Sequence, residues 1–135
     1  MNVLWDIVMV MVGGGIGALL RYGVSSFVHL YMNKDFAWGT LTVNLVGAVL
    51  IGALWELTKH IEMPSQIRLF IFVGFLGGFT TFSSYALECF EHFQADGSKV
   101  ALLYMAASNV LGVLLVFGAV FATRYLDSYF RTPGS

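Results

Sequence analysis

Four long apolar segments, separated by short polar breaks, decide what this chain can fold into. They cover about residues 3–32, 36–58, 66–93 and 99–126, and the breaks between them read NKD, KHIEMPSQ and QADGSK. Each segment can cross a hydrocarbon core about 30 Å thick, which takes about 20 helical residues. Only 11% of the residues are charged and the mean hydropathy is +0.78, which is too apolar for a soluble domain. We predict an all-α integral membrane protein in which residues 1–135 form a single four-span domain.

The sequence also argues against several functional classes. The first segment has no basic region before it and no clean small-residue cleavage site, so we expect it to remain in the mature protein. Cys89 is the only cysteine, which excludes an internal disulfide. The chain has no Ser–His–Asp set, no phosphate-binding loop and no metal-ligand spacing. We therefore predict that the protein is not an enzyme.

The distribution of basic residues leaves the orientation in the membrane open. An even number of spans puts both termini on one side, where four cations lie against two on the other side. The first group is Lys59, Arg68, Arg124 and Arg131, and the second is Lys34 and Lys99. This bias is weak. It fits either a modest preference for an inside N-terminus or insertion in both orientations, which would permit an antiparallel homodimer.

Polar residues inside the apolar segments are the main functional signal, because each is costly in lipid without a partner. Arg21 lies within the first segment, and the apolar stretch YGVSSFVHLYM follows it, so Arg21 is not at a span end. It is either a cation whose head reaches the interface or a fixed positive charge at a water-filled vestibule that attracts anions. We favour the second interpretation.

The second segment contributes Thr40 and Asn44, which are four residues apart and share a helix face. Asn44 lies about a third of the way into the span, where a primary amide must hydrogen-bond to something. It either joins two helices or turns a donor towards a permeating ligand. The spacing alone does not separate these two roles.

The fourth segment carries a polar stripe. Tyr104 and Ser108 are four residues apart, Gly112 continues the same face, and Asn109 is a further polar residue beside them. A serine in a span usually bonds the carbonyl four residues earlier, so the tyrosine hydroxyl is the stronger indication of a polar track.

Carboxylates and small residues add two expectations. Glu88, near the end of the third segment, is the only carboxylate well inside a segment, whereas Asp6 and Glu56 lie near span ends and are predicted to be interfacial. Gly13 and Gly17 form a small-xxx-small pair of the kind that lets helices approach closely. Four spans are too few to enclose a wide aqueous pore, so a transporter of this size is expected to oligomerise.

The third segment contains the most unusual stretch, GFLGGFTTFSSYALE at residues 74–88. Gly74, Gly77 and Gly78 allow the backbone to leave the helix, and the four hydroxyl residues at 80, 81, 83 and 84 can satisfy the freed groups. Such backbone is tolerated at membrane depth only where it is buried in protein or lines water. We predict a broken third helix, with a glycine-kinked packing helix as the alternative. Carbonyls at a break suit a small cation, and N–H groups suit an anion.

These motifs together resemble those of the Fluc (CrcB) family of small bacterial fluoride channels. The stretch GFLGGFTTFSSYALE, with WGTLTVNLVG upstream and GGGIGALLRY near the start, carries the resemblance, which extends over essentially the whole chain. It implies a fluoride-selective channel that exports the anion passively across the bacterial inner membrane and confers fluoride resistance. It also implies an antiparallel, dual-topology homodimer with two pores and a central structural sodium ion.

The resemblance also implies roles for particular residues. Phe82 and Tyr85 match two rings whose edges face fluoride, although Tyr85 departs from the usual phenylalanine and adds a hydroxyl. The backbone carbonyls of Gly77 and Thr80 match the sodium ligands, and Arg21 matches an arginine near the vestibule. The other pore positions are Asn44, Ser83, Ser84, Tyr104, Ser108 and Glu88, together with Thr40 on the face of Asn44. A glycine at 112, where some members carry serine, implies a shorter polar track.

Two other functions compete with this one. A small proton-coupled exporter of the small multidrug resistance type also has four spans and dual topology. That class uses a membrane-embedded glutamate in its first span, whereas here Asp6 lies too close to the start and Glu88 lies in the third span. In a non-transporting assembly subunit, the polar stripes would only hold helices together.

Overall fold

The computed structural model describes residues 3–33 and 35–131, without the side chain of Arg131. These residues are helical wherever they have regular structure, and they contain no β-strand. Four helices are long and apolar enough to cross a membrane: Val3–Tyr31, Trp38–Thr58, Ser65–Ala95 and Ser98–Phe130. The prediction of an all-helical protein with four membrane-spanning segments is confirmed. Lys34 and the side chain of Arg131, which entered the charge comparison, lie outside the described residues.

The first two spans are each one regular helix, whereas the last two are composite. The first is α1 (Val3–Tyr31) and the second is α2 (Trp38–Thr58). The third consists of α3 (Ser65–Arg68), the π-helix π1 (Leu69–Phe75), α4 (Leu76–Phe79) and α5 (Phe82–Ala95). The fourth consists of α6 (Ser98–Ala106), the π-helix π2 (Ala107–Leu111) and α7 (Gly112–Arg131). Wide π turns are rare and are frequently found at functional sites.

The first span packs against the early half of the third span with backbone touching backbone. A Cβ atom added to Gly13 would lie 2.6 Å from the carbonyl oxygen of Phe70, and one added to Gly17 would collide with the carbonyl oxygen of Phe75. From the other side, a Cβ on Gly74 would lie 2.9 Å from the carbonyl oxygen of Val10. Only glycine fits such an approach, so close helix packing explains these three glycines.

The second span packs along α7, and α5 packs on α6. Gly52 permits the first of these contacts, because a Cβ there would lie 2.6 Å from the carbonyl oxygen of Val116. The buried core between the second, third and fourth spans is formed by Leu41, Tyr85 and Tyr104. Two predicted pore residues, Tyr85 and Tyr104, therefore belong to this buried core.

Glu56, which was predicted to lie near the membrane interface, is buried within the protein and 5% exposed. Its Oε1 accepts from Arg124 Nε at 2.9 Å and its Oε2 accepts from Arg124 Nη2 at 3.2 Å. A two-pronged contact of this kind is the strong form of an arginine–carboxylate pair. A buried carboxylate requires such a partner, so the pair fastens α2 to α7. Sequence position alone gave no sign of the partner, which lies 68 residues away.

Candidate functional site

Two extended residues, Thr80 and Thr81, interrupt the third span. Helix α4 ends at Phe79, after which Thr80 has φ −90° and ψ 159° and Thr81 has φ −146° and ψ 120°. Helix α5 then begins at Phe82. Threonine is stiff and favours extended backbone, and the glycines before it weaken the helix, so the local sequence explains where the interruption falls.

Hydroxyl groups satisfy the helix ends on both sides of the interruption. The carbonyl oxygen of Leu76 accepts from both the backbone N–H and the hydroxyl of Thr80, at 3.0 and 2.9 Å. Thr81 caps α5, because its Oγ1 accepts from the backbone N–H of Ser84 at 3.2 Å. The same Oγ1 donates to Ser84 Oγ at 3.1 Å and lies 3.4 Å from Ser83 Oγ. Ser83 and Ser84, both predicted pore residues, thus belong to the first turn of α5.

Asn44 supports the interruption from the second span. Its Oδ1 accepts from the backbone N–H of Thr81 at 2.8 Å, and its Nδ2 donates to the carbonyl oxygen of Thr81 at 3.0 Å. The amide therefore binds both backbone groups of this extended residue, which need partners at membrane depth. An amide nitrogen carries two hydrogens, so one remains for a further acceptor. Both roles considered for Asn44, joining helices and offering a donor, are compatible with this geometry.

Glu88 binds hydroxyls from two other spans. Thr40 Oγ1 donates to its Oε1 at 2.6 Å, and Tyr104 Oη donates to its Oε2 at 2.7 Å. Tyr104 is fully buried and Thr40 is buried. In the part of the chain that the structure describes, Glu88 forms no ion pair. Three predicted pore residues from three spans are therefore joined in one polar cluster.

Aromatic rings connect the interruption to this cluster. The ring centroids of Phe82 and Tyr85 lie 5.6 Å apart, and those of Tyr85 and Tyr104 lie 5.5 Å apart. Tyr104 makes an edge contact with His92 at 5.4 Å. Phe82 is 77% exposed at the surface of the single chain, whereas Tyr85 is buried. Ring edges carry partial positive charge, so they can face an anion.

A cavity of about 390 Å³ brings the interruption and π2 together. Its wall includes eight polar, aromatic or glycine residues that are relevant to the site: Asn44, Gly77, Thr80, Thr81, Phe82, Tyr85, Ser108 and Asn109. Ser108 Oγ is buried and has no hydrogen-bond partner among the residues described. The cavity wall therefore includes a buried hydroxyl that bonds to no described residue.

Other predicted site residues lie away from this wall. Glu88, Tyr104 and Thr40 form the separate cluster described above. Arg21 is half-buried, does not line the cavity, and forms no ion pair with any described residue. Beyond Glu88, a second cavity of about 280 Å³ is lined by charged or titratable groups, namely His29, Asp35, Glu88, Glu91, His92 and Asp96.

Asn109 belongs to the site although it was not included among the predicted pore residues. Its Nδ2 donates to Tyr85 Oη at 2.6 Å and to the carbonyl oxygen of Met105 at 2.8 Å. An α-helical pattern aligns Ser108 with Tyr104, but a π turn bonds residue i to i+5 and so brings Asn109 towards the same face. The only sequence signal was the adjacent polar pair at 108 and 109.

Comparison with known proteins adds independent information. Residues 8–120 match the model of a family described as CrcB-like protein, Camphor Resistance (CrcB). The fluoride-specific ion channel FluC of Parabacteroides distasonis is 41% identical over 109 residues, which cover 81% of this chain and 85% of the relative. The protein of the same name from Rhizobium etli is 40% identical over 119 residues, covering 87% and 95%. That from Thermus thermophilus is 43% identical over 109 residues, covering 81% and 86%.

Proposed function

The chain belongs to the family of CrcB-like proteins, and on this basis we infer that it is a fluoride-specific ion channel and not an enzyme. The three relatives described above share 40–43% identity with it over 81–87% of the chain. We propose that it lets fluoride pass the bacterial inner membrane passively and so confers fluoride resistance. We further propose two pores in each antiparallel homodimer.

The cavity beside the interruption is the observation that carries this proposal, because its donors suit a small anion. It is bordered by Asn44 with its second amide hydrogen, by the unpartnered hydroxyl of Ser108, and by the rings of Phe82 and Tyr85. Fluoride is small and strongly hydrated, so closely spaced donors must replace its water. Neutral donors do this without holding the ion as tightly as a full positive charge, and conduction requires several moderate sites. Chloride is larger and gains less from a tight cage of donors.

We propose that the polar track continues from this cavity to Glu88. The contact between the rings of Tyr85 and Tyr104 connects the two regions, and the hydroxyls of Tyr104 and Thr40 lie at the far end. Within the single chain, Glu88 accepts both hydroxyl hydrogen bonds. An arriving anion competes with this carboxylate for the same two donors. This competition keeps the binding of the anion moderate.

Three further residues belong to the proposed path. Arg21 has no ion-pair partner among the described residues, so its charge can attract anions towards a vestibule. Ser83 is exposed at the start of α5, and Ser84 lies beside it. Their hydroxyls would line the pore once a second subunit covers this surface.

The shape of the single subunit supports the dimer. Phe82 is 77% exposed, although its ring is one of the two proposed to face the ion. A largely apolar groove of about 980 Å³ continues from the cavity, and the two share Ile51 and Phe72. A second copy would cover both the ring and the groove. The weak charge bias of the sequence permits the opposite orientation that an antiparallel pair requires.

We propose that the backbone carbonyls of Gly77 and Thr80 from each subunit hold a sodium ion. The local structure fits this role, because Thr81 N–H, the usual helical donor to the Gly77 carbonyl, is bound by Asn44 instead. A Cβ on Gly77 would meet no described atom within 4 Å, so its surroundings are open. Carbonyls released from an interrupted helix are typical ligands for small cations. Dimers that assemble and conduct at full rate in sodium-free buffer would contradict the structural role of the ion.

Fluoride efflux from proteoliposomes tests the proposed function. We expect passive, electrogenic fluoride flux that is independent of a proton gradient, with no comparable chloride flux. Flux that requires a proton gradient would instead indicate an exporter. Vesicles that retain fluoride, although they contain folded protein, would favour a non-transporting subunit.

A further inference from the structure

The hydroxyl of Tyr85 has a dedicated partner in the fourth span. Asn109 Nδ2 donates to Tyr85 Oη at 2.6 Å, while its other hydrogen is directed to the Met105 carbonyl at 2.8 Å. Both amide hydrogens are thereby used, and the Met105 bond fixes the amide on its own helix. Asn109 therefore presents one donor in a set direction towards the phenol oxygen.

The direction of this bond determines what the phenol can do. The Tyr85 oxygen accepts from Asn109, so the hydrogen of the hydroxyl is not used in that bond and can be given to another acceptor. The Cys89 thiol, one turn along α5, also interacts with the phenol, but sulfur is a weak acceptor. A small anion in the adjoining cavity would be a much stronger acceptor than this thiol.

A second hydroxyl faces the same space. Ser108 precedes Asn109 in π2, lines the cavity, and has a buried Oγ without a partner in the described chain. The wide turn of π2 lets two adjacent residues serve one site, with Ser108 as a donor and Asn109 as the support of another donor.

We infer that Asn109 is a positioning residue that holds the Tyr85 hydroxyl so that its O–H, with that of Ser108, is offered to fluoride in the cavity. This inference rests on the proposed channel function. It specifies what the tyrosine at position 85 contributes to fluoride binding. The phenol adds a hydroxyl donor to the ring edge, and Asn109 prevents that hydroxyl from turning to a competing group. Asn109 acts through Tyr85 and need not touch the ion.

A double-mutant cycle in the proteoliposome flux assay tests this role. Asn109→Leu keeps the approximate shape of the side chain and removes the donor, so we expect fluoride flux to fall roughly tenfold, in line with a misplaced buried hydroxyl. Tyr85→Phe should lower the flux about threefold, since a donor is lost while the ring remains. Combining Asn109→Leu with Tyr85→Phe should lower the flux no further than Tyr85→Phe alone.

The conservative variant Asn109→Gln retains an amide donor and should recover most of the flux lost in Asn109→Leu. If Asn109→Leu does not assemble, Asn109→Ala is tested in its place, both in the chain with Tyr85 and in the chain with Tyr85→Phe. An equal loss of flux in the tyrosine and phenylalanine backgrounds would overturn the inference, because it would indicate a role independent of the phenol. Unchanged flux in Asn109→Leu would overturn it as well. The unmodified protein reports separately on the channel function, since its failure to pass fluoride would refute that function directly.

Discussion

The interruption of the third span at Thr80 and Thr81 and the widened turn π2 of the fourth span line the same cavity, and they differ in what they need from the rest of the protein. At Thr80 and Thr81 the third span is interrupted, and backbone groups are released that side chains must then satisfy. At Ala107–Leu111 the fourth span is only widened, so its backbone stays helical and it is the side chains that gain a new direction. The backbone of the first region is hydrogen-bonded by a side chain of another span, whereas the second region places its own polar side chains at the cavity.

The two asparagines illustrate this difference. Asn44 binds the backbone of the interruption through its oxygen and its nitrogen, so its contribution is structural before it is functional. Asn109 binds a side-chain hydroxyl and a carbonyl of its own helix. Asparagine therefore stabilises the backbone in the third span, whereas in the fourth span it orients a hydroxyl donor, that of Tyr85.

The largest effect should come from Asn44→Leu. It leaves the N–H and C=O of Thr81 without partners, which should lower the free energy of unfolding by at least about 2 kcal/mol and impair assembly. Denaturation in detergent and size-exclusion chromatography measure both quantities. The matched control is Asn109→Leu, which should assemble normally. If both variants are equally stable, the contrast between the two regions is wrong.

Phe82→Ile should lower fluoride flux roughly tenfold, because it removes a ring edge but keeps an apolar side chain. Phe90→Ile is the matched control, since Phe90 is an exposed phenylalanine of the same helix that does not line the cavity. Flux assays on both variants, reconstituted at equal density, measure the effect. If Phe82→Ile conducts fluoride at the full rate, the proposal that the ring edge of Phe82 faces the ion is wrong.

Ser108→Ala should reduce fluoride flux roughly fivefold, which corresponds to the loss of one hydrogen bond to the ion. Stability should hardly change, because Ser108 Oγ has no partner among the described residues. Ser128→Ala serves as control, since that hydroxyl bonds the carbonyl of Tyr125 outside the cavity. A loss of stability without a loss of flux would show that the widened turn needs its hydroxyl for folding.

The smallest effect is expected for Thr81→Val. The substitution keeps a branched side chain suited to extended backbone but removes the cap of α5, so unfolding should become easier by about 1 kcal/mol. Thr58→Val provides the comparison, because the bonds of the Thr58 hydroxyl to described residues all go to carbonyls of its own helix. A thermal melt resolves the two variants. An equal shift in both would argue against a capping role for Thr81.

Much of the architecture could be predicted because hydropathy reports directly on membrane spans. The sequence placed a departure from the helix at Gly74, Gly77 and Gly78, whereas in the structure these three glycines are helical and the extended residues are Thr80 and Thr81. The widened turn could not be predicted in this way, because Ala107–Leu111 contains no glycine or proline to mark it. Asn109 was noted as a polar neighbour of Ser108 but was not counted among the pore residues, because the α-helical spacing of four residues aligned only Tyr104 with Ser108. The pair of Glu56 and Arg124 was missed because one sequence does not show which distant charges meet.

The close contact of Gly13 and Gly17 with the third span has a mechanical consequence. Helix α1 lies against α3, π1 and α4, whereas α5 lies against α6. The two halves of the third span thus pack mainly against different neighbours, and the extended residues Thr80 and Thr81 connect them. Residues on the α4 side, Gly77 among them, are therefore positioned by the first span, whereas the rings on α5 are positioned by the fourth.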